Sequence, residues 1–110
     1  MDLSTAVLRK LKVLDALESP STEDHALVYN RYLELHEGLQ HEELAYWPSD
    51  FIPLIVMPAL VDLVAIHVSN EFGITINLAE IEDLEVPIKR RIKRYNVKRD
   101  SEADVYQVDY

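Results

Sequence analysis

The chain contains no cysteine. That excludes a disulfide framework, thiolate catalysis and cysteine-ligated metal. Glycine occurs only at Gly38 and Gly73, so there is no glycine-rich loop of the kind that cradles phosphates. The most apolar run, Phe51 to Val61, is broken by Pro53 and Pro58 and falls well short of the roughly 20 residues of a membrane-spanning helix. Positive charge is almost missing from the middle of the chain: residues 13–88 carry fifteen acidic side chains and one basic one, Arg31. No basic segment leading into an apolar core opens the sequence, so a cytoplasmic protein is the expectation.

What is present suits one globular domain. A chain of 110 residues with 48% hydrophobic content can bury roughly two-thirds of its unfolded surface. The net charge of -9 hides a polarity: seven of the eleven basic residues lie between Lys89 and Arg99, and acidic residues return after them. An acidic body repels nucleic acid and membrane surfaces and attracts basic protein faces. The basic segment has the reverse preference.

Helical spacing recurs along the chain. Val7, Leu8, Leu11, Val13 or Leu14, and Leu17 predict a first helix over 4–18, ended by Ser19-Pro20. Ser21 with Asp24 reads as a cap opening a second helix, which Gly38 is expected to close in the left-handed conformation. Residues 39–57 form a long connection, with a short turn near 42–46. Its apolar content (Leu44, Trp47, Phe51, Ile52, Leu54, Ile55, Val56) predicts a loop buried across the core. A third helix, over 58–72, is opened by Pro58 and closed by Gly73. It is so apolar that it needs cover on more than one side, and Leu8, Leu11 and Leu14 are candidates to cover Leu60, Val64 or Ile66. After an extended Ile74-Thr75-Ile76, Asn77 with Glu80 predicts a short acidic helix to about Leu84. A final helix is expected from about Pro87, with Ile88, Ile92 and Tyr95 on one face. The period-two pattern after Asp104 reads as a frayed tail or an edge strand.

This order, and in particular Glu37-Gly38-Leu39-Gln40-His41-Glu42-Glu43-Leu44, Glu71-Phe72-Gly73-Ile74-Thr75-Ile76 and Leu78-Ala79-Glu80-Ile81-Glu82-Asp83-Leu84, resembles an acyl carrier protein over about residues 23–95. The resemblance implies an all-α fold: a small four-helix bundle with a long apolar loop over 21–97. Residues 1–20 are then an N-terminal helical extension and 98–110 an acidic tail. Carrier proteins esterify phosphopantetheine to a serine at the start of the second large helix. Here the matching position is Pro58, flanked by Met57 and Ala59, which has no hydroxyl. Ser49 and Ser69 are displaced from it. No cofactor is therefore expected. The acidic stripe a carrier offers its partners is reduced to Asp62 and Glu71.

Other chemistry is thinly represented. His36 and His41 lie near Glu37 and Glu42 but match no strong zinc spacing, and His67 on an apolar helix reads as a core residue. No Ser–His–Asp order or HExxH motif occurs, so an enzyme is not expected. Trp47, Tyr46 and Phe51 read either as an exposed contact patch or as loop anchors in the core, and core anchors are the expectation. The expectation is a non-catalytic protein-interaction module whose partner is another protein or a second copy. The candidate contact residues are Asp62, Ser69, Glu71, Lys89, Arg90, Arg91, Lys93 and Arg94. Nucleic-acid or acidic-partner binding through the basic helix 88–99 is the alternative, and a carrier modified at an unexpected serine is a third reading.

Overall fold

The computed structural model describes residues 2–14 and 20–108, with side chains through Tyr95. The described residues form four α-helices: α1 (Leu3–Lys10), α2 (Thr22–His41), α3 (Met57–Val68) and α4 (Leu78–Val108). A 3-10 turn, Ser69–Phe72, extends α3. No strand occurs among the described residues. The fold is thus all-α, with α3 as its central element. Helices α1, α2 and α4 all pack against α3.

Each helix start follows from local chemistry. Asp2 Oδ1 accepts the Thr5 N–H at 2.8 Å and Ser21 Oγ accepts the Asp24 N–H at 3.1 Å. Asn77 Oδ1 accepts the Glu80 N–H at 2.9 Å, while its amide donates to the Glu80 carboxylate. These caps satisfy donors that have no partner inside the helix. Pro58 sits in the first turn of α3, where its missing N–H leaves no bond unmade.

The helix ends depart from expectation. α1 stops at Lys10, not at residue 18, because Lys12 adopts φ 62°. The Lys12 N–H then bonds the Arg9 carbonyl and the Val13 N–H bonds the Leu8 carbonyl, both at 3.0 Å. Expected helical residues 15–18 lie outside the described residues. α2 runs through Gly38 to His41 and ends in the same way, with Glu43 at φ 60° and the Leu44 N–H on the Leu39 carbonyl. Gly73, at φ 83°, closes the third such end, with the Ile74 N–H on the Ser69 carbonyl. All three are Schellman motifs, yet only one uses glycine. Gly38 is an ordinary interior helical position where an added Cβ meets nothing within 4 Å. Gly38→Ala is therefore expected to stabilise the protein by about 1 kcal/mol, and Glu43→Gly by a similar amount through relief of left-handed strain. Urea unfolding followed by circular dichroism measures both.

The short acidic helix and the final helix are one helix. α4 passes through Pro87, although proline in a helix interior costs about 3 kcal/mol and leaves the carbonyl four residues earlier without its donor. Packing on α3 and ion pairs offset that cost. Ile88 and Ile92 are buried. On either side of the proline, Glu85 pairs with His67 of α3 and with Lys89 one turn on. The helix continues to Val108, so the expected frayed tail or edge strand is helical there. Asp109 and Tyr110 lie outside the described residues. At 31 residues α4 is about 46 Å long, which accounts for the 53 Å long axis of the molecule.

The core joins all four helices. Val7 and Leu8 of α1 lie fully buried with Leu60, Leu63, Val64 and Val68 of α3, Val28 and Tyr32 of α2, and Ile92 of α4. The N-terminal helix thus covers α3, as its apolar excess requires. Ile66 stays half-buried at the edge.

Candidate functional site

The long loop is anchored by one aromatic cluster. The His36 ring nitrogen Nε2 lies 2.7 Å from the Trp47 carbonyl, which can only accept, so Nε2 carries the proton and donates. Trp47 Nε1 donates to the Tyr32 hydroxyl at 3.2 Å, and that hydroxyl donates to the Ser49 carbonyl at 3.0 Å. Tyr32, His36 and Trp47 are all buried, and burial raises the Tyr32 pKa above its ordinary value. The polar atoms of this buried cluster satisfy one another and pin residues 47–49 to α2.

Beyond that anchor the loop turns outward. Trp47 and Val56 are buried as expected, but Phe51 is 69% exposed, Leu54 87% and Ile55 49%. The expectation of a fully buried loop, and of Phe51 as a core anchor, is corrected. Residues 54–56 form a turn, which leaves Leu54 and Ile55 on its solvent side. Leu54 also borders a shallow groove formed with Ala6, Met57, Pro58 and Val61. Pro58 is itself exposed there.

A second feature lies between α3 and α4. These helices run antiparallel, since Asp62 meets Arg91 while His67 meets Glu85. α3 contributes Asp62, Ala65 and Ile66, the 3-10 turn that extends it contributes Ser69, and α4 contributes Leu84, Pro87, Ile88 and Arg91. Both sets have the spacing of a single helical face. They line an open groove of about 400 Å³, bounded at one end by Ile74 and Ile76 and at the other by Lys10 and Leu11. The Asn70 side chain fixes the far wall: its amide donates to the Ile76 carbonyl and its oxygen accepts the Ile76 N–H.

The candidate contact residues fall into two groups. Asp62, Glu71, Lys89 and Arg91 are held within the fold. Asp62 binds Lys10 at 2.6 Å and Arg91 at 2.9 Å. Burial works against its charged form, but the hydrogen bonds from Lys10 and Arg91 prevail and hold its pKa below the ordinary carboxylate value. The same bond raises the Arg91 pKa. Glu71 pairs with Arg31 at 3.1 Å and Lys89 with Glu42 at 3.1 Å. Ser69 is fully buried and donates to the Ile66 carbonyl at 2.9 Å, so its hydroxyl presents no surface. Arg90, Lys93 and Arg94 form the second group, exposed on the outer side of α4.

Sequence reasoning missed the exposure of Leu54 and Ile55 and the role of Lys10. No period separates the inward Trp47, Ile52 and Val56 from the exposed Phe51, Leu54 and Ile55, so the loop carried no signal for it. Lys10 carried none. Among the described residues, no group of three or more His, Asp or Glu side chains gathers in a way that could hold a metal. Nor is any helix long and apolar enough to cross a membrane.

The chain matches no protein-family model, and no curated protein or solved structure is significantly similar to it.

Proposed function

We propose that this protein is a non-catalytic protein-interaction module, built on a carrier-like helical scaffold without a phosphopantetheine site. The observation that carries the reading is the solvent-facing trio Phe51, Leu54 and Ile55, presented by a loop whose root is locked to α2. Three large apolar side chains within five residues are an expensive surface unless a partner covers them. Anchoring the root lowers the entropy lost on binding. Asp50 adjoins the trio and the body is acidic, which favours a protein with basic residues around an apolar contact over an anionic membrane. Pro58 in the first turn of α3 supports the absence of carrier chemistry, because proline offers no oxygen for a phosphodiester.

The test compares wild-type protein with the double variant Phe51→Ser, Leu54→Ser, each immobilised and exposed to extract of the source cells. Both positions are exposed, so unfolding stability should change by no more than about 0.5 kcal/mol each. Partner retention should fall at least about 30-fold, as expected when central apolar contacts are removed. Equal retention of the same proteins by the double variant overturns the reading.

Arg90, Lys93 and Arg94 favour one second reading, contact with phosphates or an acidic surface through the outer side of α4. Retention on heparin that disappears when Arg90 and Arg94 become alanine distinguishes it.

A further inference from the structure

We propose that the outer face of α4 binds a second copy of this chain, antiparallel, about a two-fold axis near Val86. The face shares no residue with the loop trio Phe51, Leu54 and Ile55. Charge along α4 is divided between its ends. Glu80, Glu82, Asp83 and Glu85 come first with no basic residue among them, and Lys89, Arg90, Arg91, Lys93 and Arg94 follow with no acidic one. Some members of each set are used inside the fold. Glu85 pairs with His67, Lys89 with Glu42 and Arg91 with Asp62, and Glu80 accepts from Asn77. Glu82, Asp83, Arg90, Lys93 and Arg94 remain. All five are exposed, and among the described residues none of them is in an ion pair.

The same face has the geometry of a helix-pairing seam. Ala79, Asp83, Val86, Arg90 and Lys93 recur at alternating steps of four and three residues, the spacing along which two helices pack side by side. This seam lies opposite Ile88 and Ile92, which are buried where α4 meets α3. Val86 is half-exposed at its centre, and the small Ala79 lets a second helix come close. Glu82 and Arg90 lie equally far from Val86 on either side, as do Ala79 and Lys93. Two antiparallel copies crossing at Val86 therefore bring Glu82 and Asp83 of each to Arg90 of the other, twice over. Parallel copies would set like charges together, which selects the antiparallel arrangement. Pro87, exposed nearby, leaves the Asp83 carbonyl without a helical donor. A guanidinium has five N–H groups, enough for that carbonyl and the Asp83 carboxylate together.

The occupant is a second copy because this patch carries both halves of its own complement. A nucleic acid or an acidic protein would satisfy Arg90, Lys93 and Arg94 but meet repulsion at Glu82 and Asp83. The arrangement is closed: the same residues face one another on both copies, so it yields a dimer and not a filament. It is also small. The seam from Ala79 to Lys93 is about 22 Å long on a helix about 10 Å wide, well short of the roughly 800 Å² that each partner buries in a standard interface. The net charge of -9 on each copy opposes association as well. The dimer is therefore weak and reversible, with a dissociation constant on the order of 10–100 μM.

Sedimentation velocity of the full chain over a concentration series should show a monomer–dimer equilibrium. Two charge-reversed variants test the pairing: Glu82→Lys with Asp83→Lys, and Arg90→Glu with Lys93→Glu. All four positions are exposed, so helicity by circular dichroism should match wild type. Each variant alone sets like charges against like and should self-associate at least about tenfold more weakly. Mixed in equal amounts they restore both sets of opposite-charge contacts, and native mass spectrometry should find a dimer containing one of each. Glu82→Lys with Asp83→Lys should also strengthen retention on heparin while weakening the dimer, which separates self-association from phosphate binding. Phe51→Ser with Leu54→Ser should dimerise as wild type does, so loss of the loop contact and loss of this one are told apart. The proposal is overturned by a wild-type chain that stays monomeric up to about 500 μM, by unchanged self-association in either charge-reversed variant, by a mixture that forms no mixed dimer, or by a dimer that disappears in the loop variant.

Discussion

Trp47→Ala is expected to lower the unfolding free energy by about 3–5 kcal/mol, the range for truncating a buried aromatic. Trp47 is 2% exposed. Its loss removes the indole donor to Tyr32 as well as the ring, and frees the loop root whose carbonyls are held by His36 and Tyr32. Domains of this size are stable by only about 5–15 kcal/mol, so the variant should unfold at much lower urea. Trp47→Phe separates the two effects. It keeps most of the ring volume and loses only the N–H, for an expected cost of about 1–2 kcal/mol. Urea titrations followed at far-ultraviolet wavelengths read both. A loss under 1 kcal/mol for the alanine variant would show that the aromatic cluster does not anchor the loop.

Leu8→Ala is expected to cost about 2–5 kcal/mol. Leu8 is fully buried on α1, against the face of α3 that bears Leu60 and Val64. An eight-residue helix has little stability of its own, so tertiary packing holds it in place. Removing residues 1–18 altogether should uncover that α3 face and cause aggregation visible by light scattering. A soluble truncated protein with unchanged unfolding would mean that α1 adds nothing to the core.

The parts legible in the sequence were those decided by neighbours a few residues apart. Ser21 with Asp24, Asn77 with Glu80, Pro58 and Gly73 each mark a helix boundary through local hydrogen bonds or a fixed backbone angle, and each boundary is found there. The ends at Lys12 and Glu43 were hidden because left-handed backbone costs an ordinary residue only about 1 kcal/mol, which the Schellman bonds offset. An apolar residue follows each of them, Val13 and Leu44, and that was the better signal. Pro87 misled for a related reason: its local penalty is outweighed by packing with α3, which no window around it reveals. The stripes Asp62-Ala65-Ile66-Ser69 and Leu84-Pro87-Ile88-Arg91 could be read from spacing alone. That they face one another could not, because it depends on how two distant helices dock. The exposure of Phe51 and Leu54 is non-local in the same sense, since it depends on how the loop lies once Trp47 is tied to α2.

The chain has one indole, and it is seated at the hinge between rigid α2 and the loop that carries Phe51 and Leu54. That makes the protein its own optical reporter. Native emission, with no label and no engineered fluorophore, monitors the ring at the base of the exposed trio, so an occupant that shifts the loop root changes the spectrum while one that leaves it still does not.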